Sequence, residues 1–150
     1  MSQQQTTESP RMPEPLSQQE VQQILDSSPF ISFMGLQVTA MDVEGGCITM
    51  RMPMRPEFER RLGTGQYHGG PIAALIDIVG DYALVMRLGG GVPTINFRTD
   101  YLRPASGDHL TATATVRRTG RSVALVDIDV HDGDGELIAV GRGTYSTRVG

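Results

Sequence analysis

The pattern of apolar residues near the start of the chain is helical. Ser17 and Glu20 have the S-x-x-E spacing of a capping box, which marks the first turn of a helix. Apolar residues follow at helical spacing: Val21, Ile24 and Leu25. The segment therefore predicts a short amphipathic helix that ends before Pro29.

After Gly35 the apolar residues alternate with polar ones, as in a strand that is buried on one face. The segment "GLQVTAMD" places Leu36, Val38 and Ala40 on one side, and "CITMRMPMR" does the same for Ile48, Met50, Met52 and Met54. Gly45-Gly46 separates the two segments, so together they predict a hairpin. Four further strands are predicted downstream, with turn residues between them: "PTINFRTDYLRP", "HLTATATVRR", "VALVDIDVHD" and "ELIAVGRGTYSTR".

Between the hairpin and the later strands lies the most apolar stretch, "QYHGGPIAALIDIVGDYALVM". It predicts a helix of about sixteen residues that starts at Pro71 and ends at the glycines 89–91. One stripe of this helix is expected to face a sheet: Ile72, Leu75, Ile76, Val79, Ala83 and Met86. The order of elements predicts an α+β fold in which an antiparallel sheet wraps around one long central helix.

The other side of the central helix is also apolar, apart from Asp77 and Asp81. Its apolar members are Ala73, Ala74, Ile78, Leu84 and Val85. A helix that is apolar all round is normally buried all round, so we infer a homodimer in which a second subunit covers this side. A carboxylate among apolar neighbours is costly without a partner or a task, which makes both aspartates candidate functional residues. The alternative is that Asp77 and Asp81 simply lie on a solvent-exposed helix face and have no function.

Composition limits the classes of partner. At 150 residues, of which 39% are hydrophobic, the chain fits one domain, and the glutamine- and proline-rich residues 1–14 predict a disordered lead-in to a domain at residues 15–150. A net charge of −4 and a pI near 5.3 argue against nucleic acid and anionic membrane surfaces, which attract basic proteins. No segment approaches the ~20 apolar residues of a membrane span. Small molecules or other proteins are the expected partners.

Cysteine and histidine usage narrows the chemistry further. Cys47 is the only cysteine, so an internal disulfide is impossible and a reducing, cytoplasmic location is expected. His68, His109 and His131 lack the spacing of metal ligands, so the sequence predicts no metal and no cofactor. The segment "DIDVHDGDGE" has Asp132 where a calcium loop requires glycine, and it predicts a hairpin turn instead.

The start of the central helix is a candidate anion site. Gly69 and Gly70 have no side chains to block approach, and the first N–H groups of a helix lack intrahelical partners. Such groups are suited to an oxyanion or a phosphate. The alternative is a simple turn into the helix, with His68 as a structural cap.

The segments "HGGPIAALID", "INFRTDYLRPA" and "GRSVALVDIDVHDGDGELIAVGRGTY" together resemble the PaaI-like acyl-CoA thioesterases of the hotdog fold, from about Gln66 to the C-terminus. In that family a His-Gly-Gly opens the central helix, and an Asp nine residues after the His is the catalytic carboxylate. The matching positions here are His68, Gly69, Gly70 and Asp77. The resemblance implies hydrolysis of an acyl-CoA, in which the Gly69 amide polarises the thioester carbonyl and Asp77 acts as base or nucleophile. It also implies a homodimer, often paired into a homotetramer.

The resemblance assigns further residues. Thr94 falls where relatives carry a Ser or Thr that places the attacking water, and His68 orients the thioester. Some relatives have Asn six residues before the His, where this chain has Leu62, and Gln66 is the candidate replacement. Asp81 is a candidate substrate-binding residue. An acyl pocket that would take an aromatic or medium-chain group is predicted from Phe58, Leu62, Tyr82 and Met86, and the CoA phosphates are assigned to Arg98, Arg103, Arg117, Arg118 and Arg121.

Helix geometry supplies a separate constraint. Gly69 and Asp77 are eight residues apart, or about 12 Å along a helix at ~1.5 Å per residue. One carbonyl group cannot touch both within a chain, so the predicted site needs Gly69 of one subunit and Asp77 of another. Two other classes stay open: a non-catalytic acyl-CoA-binding module, and a hotdog hydratase or dehydratase.

Overall fold

The computed structural model describes residues 13–150. The predicted lead-in at residues 1–14 lies almost wholly outside them and stays a prediction. The described elements are α1 (Gln18–Ser27), α2 (Pro29–Met34), β1 (Gln37–Asp42), β2 (Cys47–Pro53), a short 3-10 turn (Pro56–Phe58), α3 (Gly69–Leu88), β3 (Thr94–Tyr101), β4 (His109–Thr119), β5 (Val123–Asp132) and β6 (Leu137–Ser146).

The six strands form one antiparallel sheet in the order β1-β2-β4-β5-β6-β3. Helix α3 packs across one face of this sheet and contacts five of its strands. The predicted α+β architecture, an antiparallel sheet around one long helix, is therefore confirmed. None of the described helices has the length and apolar character needed to cross a membrane.

The N-terminal helix forms as predicted, with both capping-box bonds in place. The Ser17 N–H donates to Glu20 Oε2 at 2.7 Å, and the Glu20 N–H donates to Ser17 Oγ at 3.2 Å. The sequence pattern did not predict α2, which begins at Pro29 directly after α1. Proline is favoured at the first position of a helix, so Pro29 ends one helix and opens the next.

The hairpin of β1 and β2 forms, but one predicted inward residue is wrong. Ala40 was expected to share the buried face with Leu36 and Val38, yet it is exposed. A β-bulge causes the difference, because the register shifts between Val38 and Ala40, so that the two pair with neighbouring residues of β2. Alternation along a sequence does not reveal such an extra residue.

Helix α3 begins two residues before the predicted start and ends at Gly89, which has φ 75°. The predicted sheet-facing stripe is buried throughout. On the other side, Leu84 and Val85 are also buried within the chain, and the segment before α1 bonds to this end of the helix through the Leu16 N–H and the Met86 carbonyl at 2.9 Å. Only the first half of that side stays half-exposed: Ala73, Ala74, Asp77, Ile78 and Asp81.

Helix α3 approaches β6 closely around the ring of Tyr145, which is fully buried. A Cβ atom on Gly80 would lie 2.2 Å from the Tyr145 hydroxyl, and one on Gly143 would lie 2.4 Å from the ring. The Tyr145 hydroxyl donates to the backbone carbonyl of Asp77 at 3.1 Å. Two glycines thus make room for a tyrosine that ties the turn containing Asp77 to the sheet.

Gly80→Ala is expected to lower the free energy of unfolding by about 1–3 kcal/mol, the usual cost of overpacking a core. Alanine is the better helix former by ~1 kcal/mol, so a loss of stability would isolate the clash with Tyr145. Urea unfolding at fixed protein concentration measures the change. Gly91→Ala is the matched control, because a Cβ there meets no atom within 4 Å. Tyr145→Phe in the Gly80→Ala background should recover part of the loss, and a Gly80→Ala variant as stable as the native protein would contradict this packing.

Candidate active site

The start of α3 presents one backbone N–H that lacks a partner. The ring of His68 caps the helix, with its Nδ1 accepting the Gly70 N–H at 3.3 Å, and the His68 N–H donates to the Phe58 carbonyl at 2.7 Å. The Gly69 N–H has no hydrogen-bond acceptor among residues 13–150. The amide available to an incoming carbonyl is therefore that of Gly69, while the Gly70 amide is already used by the cap.

A cavity of about 370 Å³ adjoins Gly69. Its polar lining comes from Arg60, Gln66 and Arg103, and its remaining wall from Tyr67, Ile72, Tyr101, Leu102, Pro104 and Ala105. The two sides are bonded to each other, since the Tyr67 N–H donates to the Ala105 carbonyl at 2.8 Å and the Tyr101 hydroxyl donates to the Gly69 carbonyl at 2.8 Å. The cavity thus lies between the segment before α3 and the segment after β3. Gln66 and Gly69 both line it, and the role of Gln66 as a replacement for the family Asn stays a prediction.

Asp77 lies on the half-exposed side of α3, away from this cavity. The Thr94 hydroxyl donates to Asp77 Oδ1 at 2.9 Å, so the structure joins two of the residues assigned by the family resemblance. The backbone carbonyl of Asp77 accepts from Tyr145. Thr94 orients the carboxylate from β3 and Tyr145 fixes its turn from β6, which holds the group in one direction, outward from the sheet.

Asp81 occupies the next turn of the same side. Its Oδ1 is buried and has no hydrogen-bond partner among the described residues. Burial, together with the negative charge of Asp77, raises the pKa of Asp81 to about 7, and the Val92 N–H offsets part of that rise. Burial and the Asp81 charge also raise the pKa of Tyr82. The two aspartates therefore have different environments: Asp77 is oriented by a hydroxyl donor, and Asp81 is desolvated.

The residues predicted to line an acyl pocket lie elsewhere. Phe58 is buried between Phe33 and Tyr67, with ring centroids 5.9 and 6.4 Å away. Tyr82 and Met86 belong to the core, and Leu62 is 85% exposed at the tip of a loop. None of the four lines the cavity beside Gly69. Their role in acyl binding stays a prediction.

The structure also separates the arginines that were assigned to CoA. Arg98 pairs with Asp100, and Arg117 lies 3.5 Å from Asp127, which pairs with Arg142 as well. Arg118 and Arg121 line a different cavity, of about 410 Å³, at the turn between β4 and β5. Arg103 lines the Gly69 cavity and pairs with Glu136. The sequence analysis did not single out Arg60, which lines the Gly69 cavity. The pair Arg60-Arg61, just before the loop glycines 63 and 65, is the sequence feature that could have indicated it.

Comparison with known proteins identifies similar sequences and structures. Residues 64–139 match the family model of the thioesterase superfamily. The chain is 35% identical over 136 residues to the protein VNG_1336C of Halobacterium salinarum, covering 83% of this chain and 88% of that protein. It is 33% identical over 94 residues to the medium/long-chain acyl-CoA thioesterase YigI of Salmonella typhimurium, covering 52% of this chain and 60% of that protein. The solved structure of the E. coli PaaI protein from the phenylacetic acid degradation operon has a TM-score of 0.76 at 27% identity, covering 88% of this chain and 92% of that chain.

Asp81→Asn is expected to stabilise the protein above pH 7, by roughly 1–3 kcal/mol, since it removes a charge that burial and the nearby Asp77 carboxylate disfavour. The folded-state pKa of about 7 lies above the ordinary value of 3.8. The folded protein therefore holds this proton more tightly, and the resulting stabilisation is complete below pH ~4 and is lost as the pH rises through ~7. Urea unfolding between pH 4 and 8 measures how the free energy of unfolding changes with pH. Asp129→Asn, on the opposite face of the sheet, is the control for net charge. Identical slopes in the native protein and Asp81→Asn would show that Asp81 does not titrate in this way.

Proposed function

The chain belongs to the thioesterase superfamily and has the PaaI-like hotdog fold, and from this we propose that it hydrolyses an acyl-CoA to the free acid and CoA. Superfamily membership makes the enzyme a thioester hydrolase. The choice of acyl-CoA as substrate and of Asp77 and Gly69 as catalytic groups is the proposal. The observation that carries it is the Asp77 carboxylate, oriented by Thr94 on an otherwise apolar helix side that is open to a partner.

The proposed reaction begins with the thioester carbonyl oxygen accepting the Gly69 N–H. Asp77 takes a proton from water as the water oxygen attacks the carbonyl carbon, and the negative charge that forms on the carbonyl oxygen is stabilised by Gly69. The carbon–sulfur bond then breaks, and the CoA sulfur leaves with the proton from Asp77. One such N–H donor is worth roughly 2.7–4 kcal/mol, which suits an ester as electrophilic as a thioester. Direct attack by Asp77 would instead form an anhydride that water hydrolyses.

Two subunits are required by this assignment. Asp77 does not line the Gly69 cavity, and the separation along α3 is about 12 Å. We propose that the half-exposed side of α3 meets the same side of a second copy, antiparallel, so that Asp77 of each subunit reaches the Gly69 cavity of the other. Each dimer then contains two composite sites.

The free edge of β3 supports the same arrangement. Within the part of the chain that the structure describes, β3 pairs only with β6, and its apolar residues Ile95 and Phe97 are 57% and 37% exposed. An exposed apolar edge strand invites pairing with another chain, so we propose that β3 of one subunit lies beside β3 of the other. The homotetramer implied by the resemblance stays a prediction that light scattering can measure.

The similar proteins indicate only the chemical class of the acyl group, and they indicate two different classes. The likeness to YigI, a medium/long-chain acyl-CoA thioesterase, supports an acyl chain of that length, whereas the likeness to the PaaI protein, which comes from a phenylacetic acid degradation operon, supports an aryl group. We therefore keep both in the proposal. A cytoplasmic location is part of it, since free Cys47 and an acyl-CoA substrate both fit a reducing compartment.

Asp77→Asn is expected to lower kcat at least about 100-fold, the usual contribution of a general base. Thiol release from short, medium, long and aryl acyl-CoAs measures the rate, with Asp129→Asn as the matched carboxylate control. Light scattering checks that the oligomeric state is unchanged. Full activity in Asp77→Asn would refute the proposed site. Saturable binding of acyl-CoA without turnover by the native protein would indicate a binding module instead.

Gly69→Pro is expected to lower kcat by about 10²–10³, because proline removes the one N–H assigned to the oxyanion. Proline suits this position, since Gly69 is the first residue of α3 and His68 is extended. Gly69→Ala adds a Cβ near Tyr101 but keeps the N–H, so it is the matched control.

Mixing Gly69→Pro with Asp77→Asn tests the shared site. Random exchange makes about half of the dimers mixed, and each mixed dimer holds one intact site, so activity should recover to about a quarter of the native value. Failure to recover, with exchange confirmed by mass spectrometry, would place Gly69 and Asp77 of the same subunit in one site.

A further inference from the structure

We propose that Arg60 and Arg61, in the loop before α3, bind the phosphate groups of the CoA nucleotide next to the Gly69 cavity. This inference rests on the proposed hydrolysis of acyl-CoA and adds the groups that recognise the end of the substrate remote from the thioester. It differs from the sequence-based assignment, which placed the phosphates on five other arginines.

The first argument is position. Arg60 and Gln66 line both the Gly69 cavity and a second cavity of about 330 Å³, which also contains Arg61 and Thr64. The two spaces are therefore adjacent and share a wall. A pantetheine arm in the first cavity would carry its phosphates into the second, past Arg60.

The second argument is charge. Several other arginines already have carboxylate partners: Arg98, Arg103, Arg117 and Arg142. Arg60 and Arg61 have no carboxylate within 4 Å among residues 13–150. The nearby carboxylate of Glu59 instead accepts the Gly63 N–H. Two adjacent guanidinium groups without a counter-charge repel each other and favour a multiply charged anion.

The third argument is the fixed shape of the loop. The Arg60 N–H donates to the Gln66 carbonyl at 2.9 Å, and the Thr64 hydroxyl donates to the Arg61 carbonyl at 2.7 Å. Bridges join Glu59 to Tyr67 and Gln66 to Ser106 across its base. The backbone that bears both arginines is thus held before substrate arrives, which limits the ordering cost of binding.

A nucleotide fits this site better than an acidic carrier protein. Each cavity falls in the range of about 300–1,000 Å³ that is usual for small ligands. The protein as a whole has a net charge of −4, so a polyanionic protein partner would be repelled outside this loop. Acyl groups on a carrier protein are therefore an alternative for the experiment to exclude.

The test compares Arg60→Gln, Arg61→Gln and the double variant with the native enzyme on three substrates that carry the same acyl group. These are the acyl-CoA, the 3′-dephospho-acyl-CoA and the acyl-N-acetylcysteamine thioester, which has no phosphate. Arg87→Gln, at the other end of α3, controls for the loss of one positive charge. Arg118→Gln/Arg121→Gln tests the rival cluster at the turn between β4 and β5. Adenosine 3′,5′-bisphosphate serves as a direct competitive probe.

Each single substitution should raise KM for acyl-CoA by about tenfold, which corresponds to ~1.4 kcal/mol, with kcat changed less than about threefold. KM for the N-acetylcysteamine thioester should not change, and inhibition by the bisphosphate should weaken in parallel with KM. An unchanged KM for acyl-CoA in the double variant, or a larger rise in Arg118→Gln/Arg121→Gln, would overturn the assignment. A fourth substrate, the same acyl group on an acidic carrier protein, tests the alternative partner: a KM rise with this substrate but not with acyl-CoA would also overturn the assignment. Failure of the native enzyme to hydrolyse any acyl-CoA would instead refute the proposed function itself.

Discussion

The site depends on the close approach of α3 to β6. A glycine in the helix and a glycine in the strand leave space for the ring of Tyr145, and its hydroxyl bonds to the carbonyl of Asp77. This contact sets the depth of the helix in the sheet and its rotation about its own axis. With the apolar stripe turned inward, the side that bears both aspartates must turn outward. The direction of the proposed catalytic carboxylate is therefore a result of core packing, completed by Thr94 from the neighbouring edge strand.

The features that follow from local pattern could be predicted from the sequence. The six strands, the turn at Asp132, the capping box of α1 and the inward stripe of α3 all depend on spacing or on turn chemistry within a few residues. The family resemblance, rather than local pattern, singled out Asp77 and Thr94, and the hydrogen bond between them is seen only in the structure. The local features, namely the strands, the turn, the capping box and the stripe, are predictable because residues that are neighbours in the chain are also neighbours in space.

Other features depend on residues that are far apart in sequence, and these were missed. The bulge that turns Ala40 outward is a property of two strands together. The ion pair that occupies Arg117 arises only when β4 and β5 are aligned, since its partner Asp127 lies on the neighbouring strand. The position of Arg60 beside the Gly69 cavity appears only when the loop before α3 is set against the segment after β3. A count of arginines cannot show which are already neutralised, so the assignment of phosphate ligands needed the fold.

The strand order has a consequence for how the chain folds. Among residues 13–150, β3 is bonded to the sheet only through β6, which follows all the other described strands in the chain. Until β6 has emerged from the ribosome, β3 has no place in the sheet, Thr94 cannot reach Asp77, and the tyrosine that anchors the helix is missing. Such distant pairings are slow to form and leave apolar edges uncovered while the chain waits. A chain that stops before β6 would therefore lose the contact that holds the proposed site together as well as the attachment of β3, so we expect it to be inactive.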